Sequence, residues 1–115
     1  MRINAEDPAA GFAPRPGRVE ALELPTGEGI RVDTHLRTGD LISPHYDSMV
    51  CKLIAHGADR QQALDRAAAA LDALTIRGVT TTAALHRRLL DAPALRSGDY
   101  DTTTLETWLA AGHGN

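Results

Sequence analysis

Polar side chains that could bind a charged substrate or move protons are concentrated between residues 31 and 52. They are Arg31, Asp33, His35, Tyr46, Asp47 and Lys52. The first three alternate with less polar residues along a predicted strand, and Lys52 interrupts an otherwise apolar run. This placement indicates either a sheet with one face in water or a sheet with one face that forms the wall of an active site.

The other reactive residues indicate neither a metal site nor a nucleophile. His35, His45 and His56 are separated by nine and ten residues, without histidine or cysteine partners at a metal-ligand spacing. Ser48 lacks the flanking glycines of a nucleophile elbow. Cys51 lies inside a predicted strand, where a thiol is an inert part of the core. We therefore predict no metal ligand, and the sequence contains no glycine-rich phosphate loop.

The composition is typical of one soluble domain. The chain has 115 residues, of which 43% are apolar and 23% charged, as in an ordinary globular domain. The formal net charge of −3 disfavours a nucleic-acid-binding surface. No apolar run is long enough to cross a membrane, and the single cysteine cannot form an internal disulfide. We therefore expect a cytoplasmic protein in which residues 1–115 form one domain.

The first half of the chain predicts β-strands. Three prolines and two glycines over residues 8–17 predict a loop. Weak alternation over 18–24, clear alternation over 30–36 and an apolar run over 48–57 each predict a strand. Lys52 lies in the last of these and is expected to point to an edge or into a polar pocket.

The second half predicts about three helices. Asp59 can cap the first helix, with Gln62 placed to return the bond, and Gly78 is expected to end it.

A second helix begins near Thr82 and is expected to end before Pro93. A third begins near Thr103, where Thr103 and Glu106 have the spacing of a capping box. The residues that the third helix is expected to bury are Leu105, Trp108 and Leu109. An antiparallel β-sheet followed by about three helices makes the predicted fold class α+β.

Local sequence leaves the role of the polar residues open. Arg31 could pair with a neighbouring acid such as Asp33 on an exposed strand. Tyr46 and Asp47, which follow Pro44, could form a turn whose Asx-type hydrogen bond holds the start of the next strand. The residues alone therefore indicate an α+β domain with one polar sheet face and no specified chemistry.

A resemblance to a known family supplies a chemistry. Five segments are similar, in order and spacing, to motifs of the C-terminal domain of biotin carboxylase. They are RINAEDP, FAPRPGRV, GIRVDTHLRTGDLISPHYDSMVCKLIAHGADRQQAL, RGVTTTAALHRRLL and SGDYDTTTLE. The resemblance implies a rudimentary single-hybrid, barrel-sandwich-like architecture within a biotin-dependent acyl-CoA or pyruvate carboxylase.

The same resemblance implies a catalytic role for Arg31. In this family the arginine of the motif G-[IV]-R-x-[DE] reaches into the active site, and Arg31 matches it. The family's enzymes use ATP and bicarbonate to carboxylate N1 of biotin, and negative charge collects on the ureido oxygen. A guanidinium suits this oxyanion because it is permanently charged and rich in donors. Asp33, Tyr46 and Asp47 are expected to support the strand ends rather than to react.

The resemblance also implies cofactors and partners beyond these residues. The ATP-grasp portion of the family, with its magnesium-binding carboxylates and general base, has no counterpart in this sequence, and neither has the biotinyl-lysine motif. Biotin and ATP with magnesium are therefore expected in the full enzyme, and none is expected to bind this chain alone. The implied partners are the ATP-grasp portion and the biotin carboxyl carrier domain. The stretch from His56 to Arg60 resembles a region near the family's homodimer interface, which allows a homodimer.

Two functions follow as alternatives. The first is the C-terminal portion of a biotin carboxylase, a ligase of acyl-CoA and fatty acid metabolism, inactive as the isolated chain. The second is a non-catalytic scaffold or interaction domain that retains the fold. Under the second, Arg31 would be dispensable.

Overall fold

The computed structural model describes residues 1–114, which form short antiparallel strands and four α-helices. The strands are Arg2–Asn4 (β1), Glu6–Asp7 (β2), Ala13–Pro14 (β3), Gly17–Arg18 (β4), Ala21–Glu23 (β5), Ile30–Asp33 (β6), Leu41–Ile42 (β7), Met49–Ala55 (β8) and Thr75–Arg77 (β9). The helices are Arg60–Ala73 (α1), Ala83–Leu89 (α2), Pro93–Ser97 (α3) and Thr104–Trp108 (α4). The predicted α+β class is confirmed.

A three-stranded antiparallel sheet in the order β1–β8–β6 is the centre of the fold. Ile3 lies opposite Cys51, and Val32 lies opposite Leu53, all on the inner face. Ile3, Cys51 and Leu53 have no exposed surface. Helix α1 covers this face with a set of small and apolar residues. The buried members are Ala67, Ala68, Ala70 and Leu71.

A second buried cluster lies beside the first and joins the two-stranded sheets to β8. Its members are Ala5, Val19, Leu36, Ile42 and Val50. Val50 is adjacent in β8 to Cys51 of the first cluster, at a point where the pairing between β1 and β8 shifts register. Strand β8 therefore stabilises both clusters, and burial of each large apolar side chain contributes roughly 1.5–3 kcal/mol.

The first helix begins as predicted. The Asp59 carboxylate accepts a hydrogen bond from the Gln62 backbone N–H at 2.8 Å. The Gln62 side chain accepts from the Ala58 backbone N–H at 2.7 Å, one residue earlier than in a standard capping box. Two backbone donors at the helix start are thereby satisfied.

The predicted end of the first helix is wrong. Helix α1 ends at Ala73, and the next residues form β9, which pairs with β5 through Ile76 opposite Leu22. The β-branched residues Thr75 and Ile76 favour this extended conformation. Gly78 therefore follows the end of a strand, with φ at +94°, and a Cβ added to it would meet the carbonyl oxygen of Arg18.

The other predicted strands are present but shorter than their sequence patterns. The predictions over 18–24, 30–36 and 48–57 correspond to β5, β6 and β8. Residues 8–17, predicted as a loop, contain a 3-10 turn and the short strand β3, which pairs with β2. The structure thus divides into several small sheets where one sheet was expected.

Helix α2 begins after Thr82, as predicted, and α3 is an addition. The Thr82 hydroxyl does not cap α2, because it accepts a hydrogen bond from the Asn4 backbone N–H at 3.1 Å. Pro93, which the sequence suggested as the residue that stops α2, is the first residue of α3. Its fixed φ suits a helix start, where no backbone donor is needed.

The last helix differs from its prediction in cap and in burial. The Asp101 carboxylate accepts hydrogen bonds from the Thr103 backbone N–H at 2.8 Å and from the Thr103 hydroxyl at 2.7 Å. The expected pairing of Thr103 with Glu106 does not form. Leu105 is 44% exposed, so the expectation that it is buried is wrong. Trp108 and Leu109 are partly buried.

Within residues 1–114, no helix has the length and apolar character needed to span a bilayer.

Replacing Gly78 by alanine should destabilise the fold in two ways. The backbone has a positive φ that alanine adopts only with strain, and the added Cβ would clash with the carbonyl oxygen of Arg18. Gly39 is a matched control, since its φ is +96° and nothing lies within 4 Å of an added Cβ. Both variants incur backbone strain, but only Gly78→Ala also forces a steric clash. We expect Gly78→Ala to lower the free energy of unfolding by about 1–3 kcal/mol more than Gly39→Ala. Chemical denaturation measures both, and equal losses would contradict the steric explanation.

Candidate functional site

The outer face of the three-stranded sheet carries most of the candidate residues. Arg2, Lys52 and Asp33 form one row across the strands, and Ile54 and Arg31 form the next. Directly paired residues of antiparallel strands have side chains on the same face. In β6 and the segment after it, Arg31, Asp33 and His35 are exposed and the intervening residues are not. The predicted alternation is therefore confirmed, and the sheet has a water-facing side.

Arg31 and Asp33 are brought together at this face. The Arg31 Nε lies 3.2 Å from Asp33 Oδ1, and the Arg31 Nη2 donates to Asp33 Oδ2 at 3.3 Å. The two side chains are 71% and 50% exposed. An exposed pair of this kind adds little to stability, but its two-point geometry restricts the direction of the guanidinium plane. Within residues 1–114, the remaining donors of this exposed side chain have no hydrogen-bond partner.

Asp47 lies just before β8 and connects it to β1. Its carboxylate accepts a hydrogen bond from the Met49 backbone N–H at 2.8 Å, which is the predicted Asx-type turn. Both carboxylate oxygens lie 3.0 Å from Arg2 Nη2. The hydrogen bond from Met49, followed by the hydrogen bond from Arg2, lowers the pKa of Asp47 below its usual value. Tyr46 precedes it and is 84% exposed.

The four predicted site residues therefore form two separate pairs. Arg31 and Asp33 contact each other on β6, whereas Tyr46 and Asp47 lie beyond the far edge, at β1. Arg2 and Asp33 occupy opposite ends of a three-strand row, about 10 Å apart at the usual strand spacing. The structure thus places Asp47 against Arg2 and not against Arg31.

Sequence reasoning missed the positions of Lys52 and Arg2. Lys52 was expected at an edge or in a pocket, but it lies on the central strand with its side chain exposed. The signal was present, because Lys52 is the residue between the buried Cys51 and Leu53 of a strand with period-two alternation. Arg2 could not be identified locally, since its partner Asp47 is 45 residues away.

Two cavities adjoin the outer face. One, of about 420 Å³, is lined in part by Arg2, Glu6, Tyr46 and Asp47. The other, of about 230 Å³, includes His35 and shares Tyr46 and Asp47 with the first. The face is therefore continuous with concave surface on its β1 side. A ligand in these cavities would meet Tyr46 and Asp47, whereas Arg31 and Asp33 line neither of the two.

The single cysteine lies in the core of the domain. Cys51 is completely buried, and burial raises the pKa of its thiol to about 11, so the sulfur stays protonated and unreactive. Among residues 1–114, no three His, Cys, Asp or Glu side chains converge on a point that could hold a metal ion.

Comparison with known proteins gives a consistent family. The family model described as "Biotin carboxylase C-terminal domain" matches residues 1–107. The chain is 46% identical over 105 residues to a biotin carboxylase of Pseudomonas aeruginosa, covering 91% of this chain and 23% of that protein. It is 44% identical over 110 residues to the biotin-dependent acyl-coenzyme A carboxylase alpha3 subunit of Mycobacterium leprae, covering 95% and 18%.

A solved structure matches with similar strength. The biotin carboxylase domain of 2-oxoglutarate carboxylase from Hydrogenobacter thermophilus superposes with a TM-score of 0.95 and 38% identity. The match covers 100% of this chain and 25% of that one, which was crystallised as a dimer with MgADP, ADP and bicarbonate. The chain thus spans about a quarter or less of the length of these relatives.

Replacing Asp47 by asparagine should reduce stability in a pH-dependent way. The carboxylate has a lowered pKa in the folded protein, so it stabilises the fold above its usual pKa of 3.8 and loses this effect as the pH falls below that value. The amide side chain would keep an acceptor for the Met49 N–H but lose the charge that faces Arg2. We expect the melting temperature of Asp47→Asn to be lower than wild type at pH 7, with the difference shrinking towards pH 3.

Asp99 provides the control for this experiment, because the structure of residues 1–114 shows no ion pair for its carboxylate. Asp99→Asn should show a smaller difference from wild type at pH 7. Thermal unfolding followed by circular dichroism measures both variants. A pH-independent effect of Asp47→Asn would mean that its charge does not stabilise the strand start.

Proposed function

The chain belongs to the biotin carboxylase C-terminal domain family, and on that premise we propose that it contributes Arg31 to ATP- and bicarbonate-dependent carboxylation of biotin. The observation that carries the proposal is the position of Arg31 on an exposed sheet face, with its direction restricted by Asp33. In the family, the arginine of the matching motif has this role, and Arg31 is assigned it by resemblance.

The chemistry required of Arg31 is electrostatic. When N1 of biotin loses its proton, negative charge collects on the ureido oxygen, and a donor aimed at that oxygen stabilises the transition state more than the ground state. A guanidinium remains charged throughout the accessible pH range and donates through several N–H groups. In an enclosed site, such a contact contributes on the order of 3–4 kcal/mol to transition-state stabilisation.

The other candidate residues are proposed to position, not to react. Asp33 restricts the Arg31 guanidinium through its two oxygens. Asp47 connects the start of β8 to β1 through its contacts with Met49 and Arg2. Strand β8 in turn pairs with β6, the strand that contains Arg31. The exposed ring of Tyr46 lies beside Asp47 and forms part of both cavities that adjoin the face.

The remaining parts of the reaction are assigned to partners. No group of three potential metal ligands converges within residues 1–114, and the proposal assigns the magnesium site to a partner. We propose that an ATP-grasp portion supplies the ATP, magnesium and bicarbonate sites and that a biotin carboxyl carrier domain delivers biotin. The solved relative with MgADP and bicarbonate supports this division, since the match covers only 25% of its chain.

Assembly, location and finer architecture complete the proposal. A homodimer that uses the stretch from His56 to Arg60 is supported by the dimer described for the solved relative. A role in acyl-CoA carboxylation is supported by the name of the Mycobacterium leprae relative, and a cytoplasmic location is part of the same proposal. The several small sheets around β8 are compatible with a barrel-sandwich-like architecture.

Complementation tests the proposal. We expect a mixture of this chain with the ATP-grasp portion of a bacterial biotin carboxylase to carboxylate biotin. Arg31→Ala should reduce the rate by about 10²–10³-fold, because a donor to the oxyanion is lost. Arg77→Ala is the matched control, since Arg77 is also an exposed strand arginine, and it should leave the rate unchanged.

Labelled bicarbonate incorporation measures these rates, and circular dichroism verifies that each variant is folded. If the mixture is active and Arg31→Ala is as active as wild type, the catalytic assignment is wrong. A scaffold or interaction domain would then be the better interpretation.

The purified chain alone should not carboxylate free biotin in the presence of ATP, magnesium and bicarbonate. The physical reason is that a single oxyanion donor cannot activate bicarbonate without a nucleotide site. Phosphate release and labelled carbon incorporation both measure this. ATP-dependent incorporation above the no-enzyme background would contradict the assignment of the ATP site to a partner.

A further inference from the structure

Lys52 is the only lysine in the chain, and it is the one cation of the outer sheet face without an acidic partner in residues 1–114. The chain contains twelve lysine and arginine residues in total, and the other eleven are arginines. On the same face, Arg2 pairs with Asp47 at 3.0 Å and Arg31 pairs with Asp33 at 3.2 Å. In the part of the chain that the structure describes, no salt bridge involves Lys52. Ion pairing within the described residues therefore does not explain why a lysine lies in the middle of this face.

The sheet register places Lys52 directly beside Asp33. The two residues are opposite each other in the pairing of β6 with β8. Such residues have Cβ atoms about 4.5–5.5 Å apart, and diagonal neighbours such as Lys52 and Arg31 are about 7–8 Å apart. The flexible four-carbon stem of a lysine spans the first distance easily. Lys52 can thus reach Asp33 without any change in the backbone.

The proposed role of Arg31 creates a conflict at Asp33. Nε and Nη2 of Arg31 are occupied by the two Asp33 oxygens, so a guanidinium that turns fully to a substrate oxyanion must loosen this pair. A carboxylate left without a counter-ion would then lie close to the new negative charge, and like charges at short range are unfavourable. A second cation beside Asp33 removes this penalty.

We propose that Lys52 is a positioning residue that takes over Asp33 when Arg31 turns to the substrate oxyanion. Asp33 exchanges its guanidinium partner for the Lys52 ammonium, so the carboxylate stays paired throughout. A lysine suits this task because its ammonium is a compact charge with rotatable donors, while the planar arginine fork favours one fixed geometry. This inference rests on the proposed function of Arg31.

The isolated chain provides a test that does not depend on activity. Reductive methylation with ¹³C-formaldehyde labels only the amines of Lys52 and of the amino terminus, because the chain has no other lysine. In Arg31→Ala, the freed Asp33 should pair with Lys52, and the Lys52 methyl resonance should shift by more than its line width. The shift should be absent in the double variant Arg31→Ala/Asp33→Asn and in the control Arg77→Ala. An unchanged Lys52 resonance in Arg31→Ala would overturn the inference.

The complemented enzyme provides the kinetic test. Lys52→Met should lower kcat about five- to twentyfold with a smaller change in KM for biotin, and Lys52→Arg should recover most of the rate. In the Asp33→Asn background, Lys52→Met should have no further effect, since no carboxylate then requires a partner. Equal losses in both backgrounds, or none in either, would overturn the exchange. If Arg31→Ala itself leaves the rate unchanged, the proposed function fails instead, and the resonance experiment still decides whether Lys52 and Asp33 can pair.

Discussion

The alternation of side chains along the central strand β8 is the constraint on which both the core and the candidate site depend. Cys51 and Leu53 are completely buried on one face, and Lys52 between them is exposed on the other. A slip of one residue would expose the two apolar side chains and bury an ammonium group without a partner. An uncompensated buried charge costs several kcal/mol, so the register is strongly determined. That register also fixes β6, and with it the side of the sheet to which Arg31 points.

The parts of the fold that depend on nearby residues could be predicted from the sequence. The cap at Asp59 uses a partner three residues away, and the alternation around Arg31 needs only the period of a strand. The pairing of β9 with β5 could not be predicted in this way, because it joins Ile76 to Leu22, which lies far away in the sequence. Helix α1 ends at Ala73, because the pairing of β9 with β5 overrides the helical pattern from there on. Local propensity is a weak prior where a partner strand is available.

The candidate site shows the same division between local and distant information. The pair of Arg31 with Asp33 is a contact between residues two apart, and it was among the alternatives that local sequence left open. The contact of Asp47 with Arg2, by contrast, depends on the antiparallel pairing of β1 with β8, which no local pattern reveals. Lys52 was recognised as an exception within its apolar run but was assigned to the wrong environment. A strand at the centre of a sheet can still have a wet face when only one side is covered, as α1 covers the inner side here.

The proposed role of Arg31 requires a further protein surface that covers it. Two unit charges 4 Å apart attract by about 1 kcal/mol in bulk water and by about 4 kcal/mol at the effective dielectric constant of a partly enclosed site. Arg31 is 71% exposed, so in the chain by itself it is close to the first limit. Covering the outer face would exclude water and move it towards the second, without any change in its covalent chemistry. The same covering would strengthen the repulsion between an unpaired Asp33 and a substrate oxyanion. The benefit of enclosing Arg31 and the need for a second cation beside Asp33 therefore increase together.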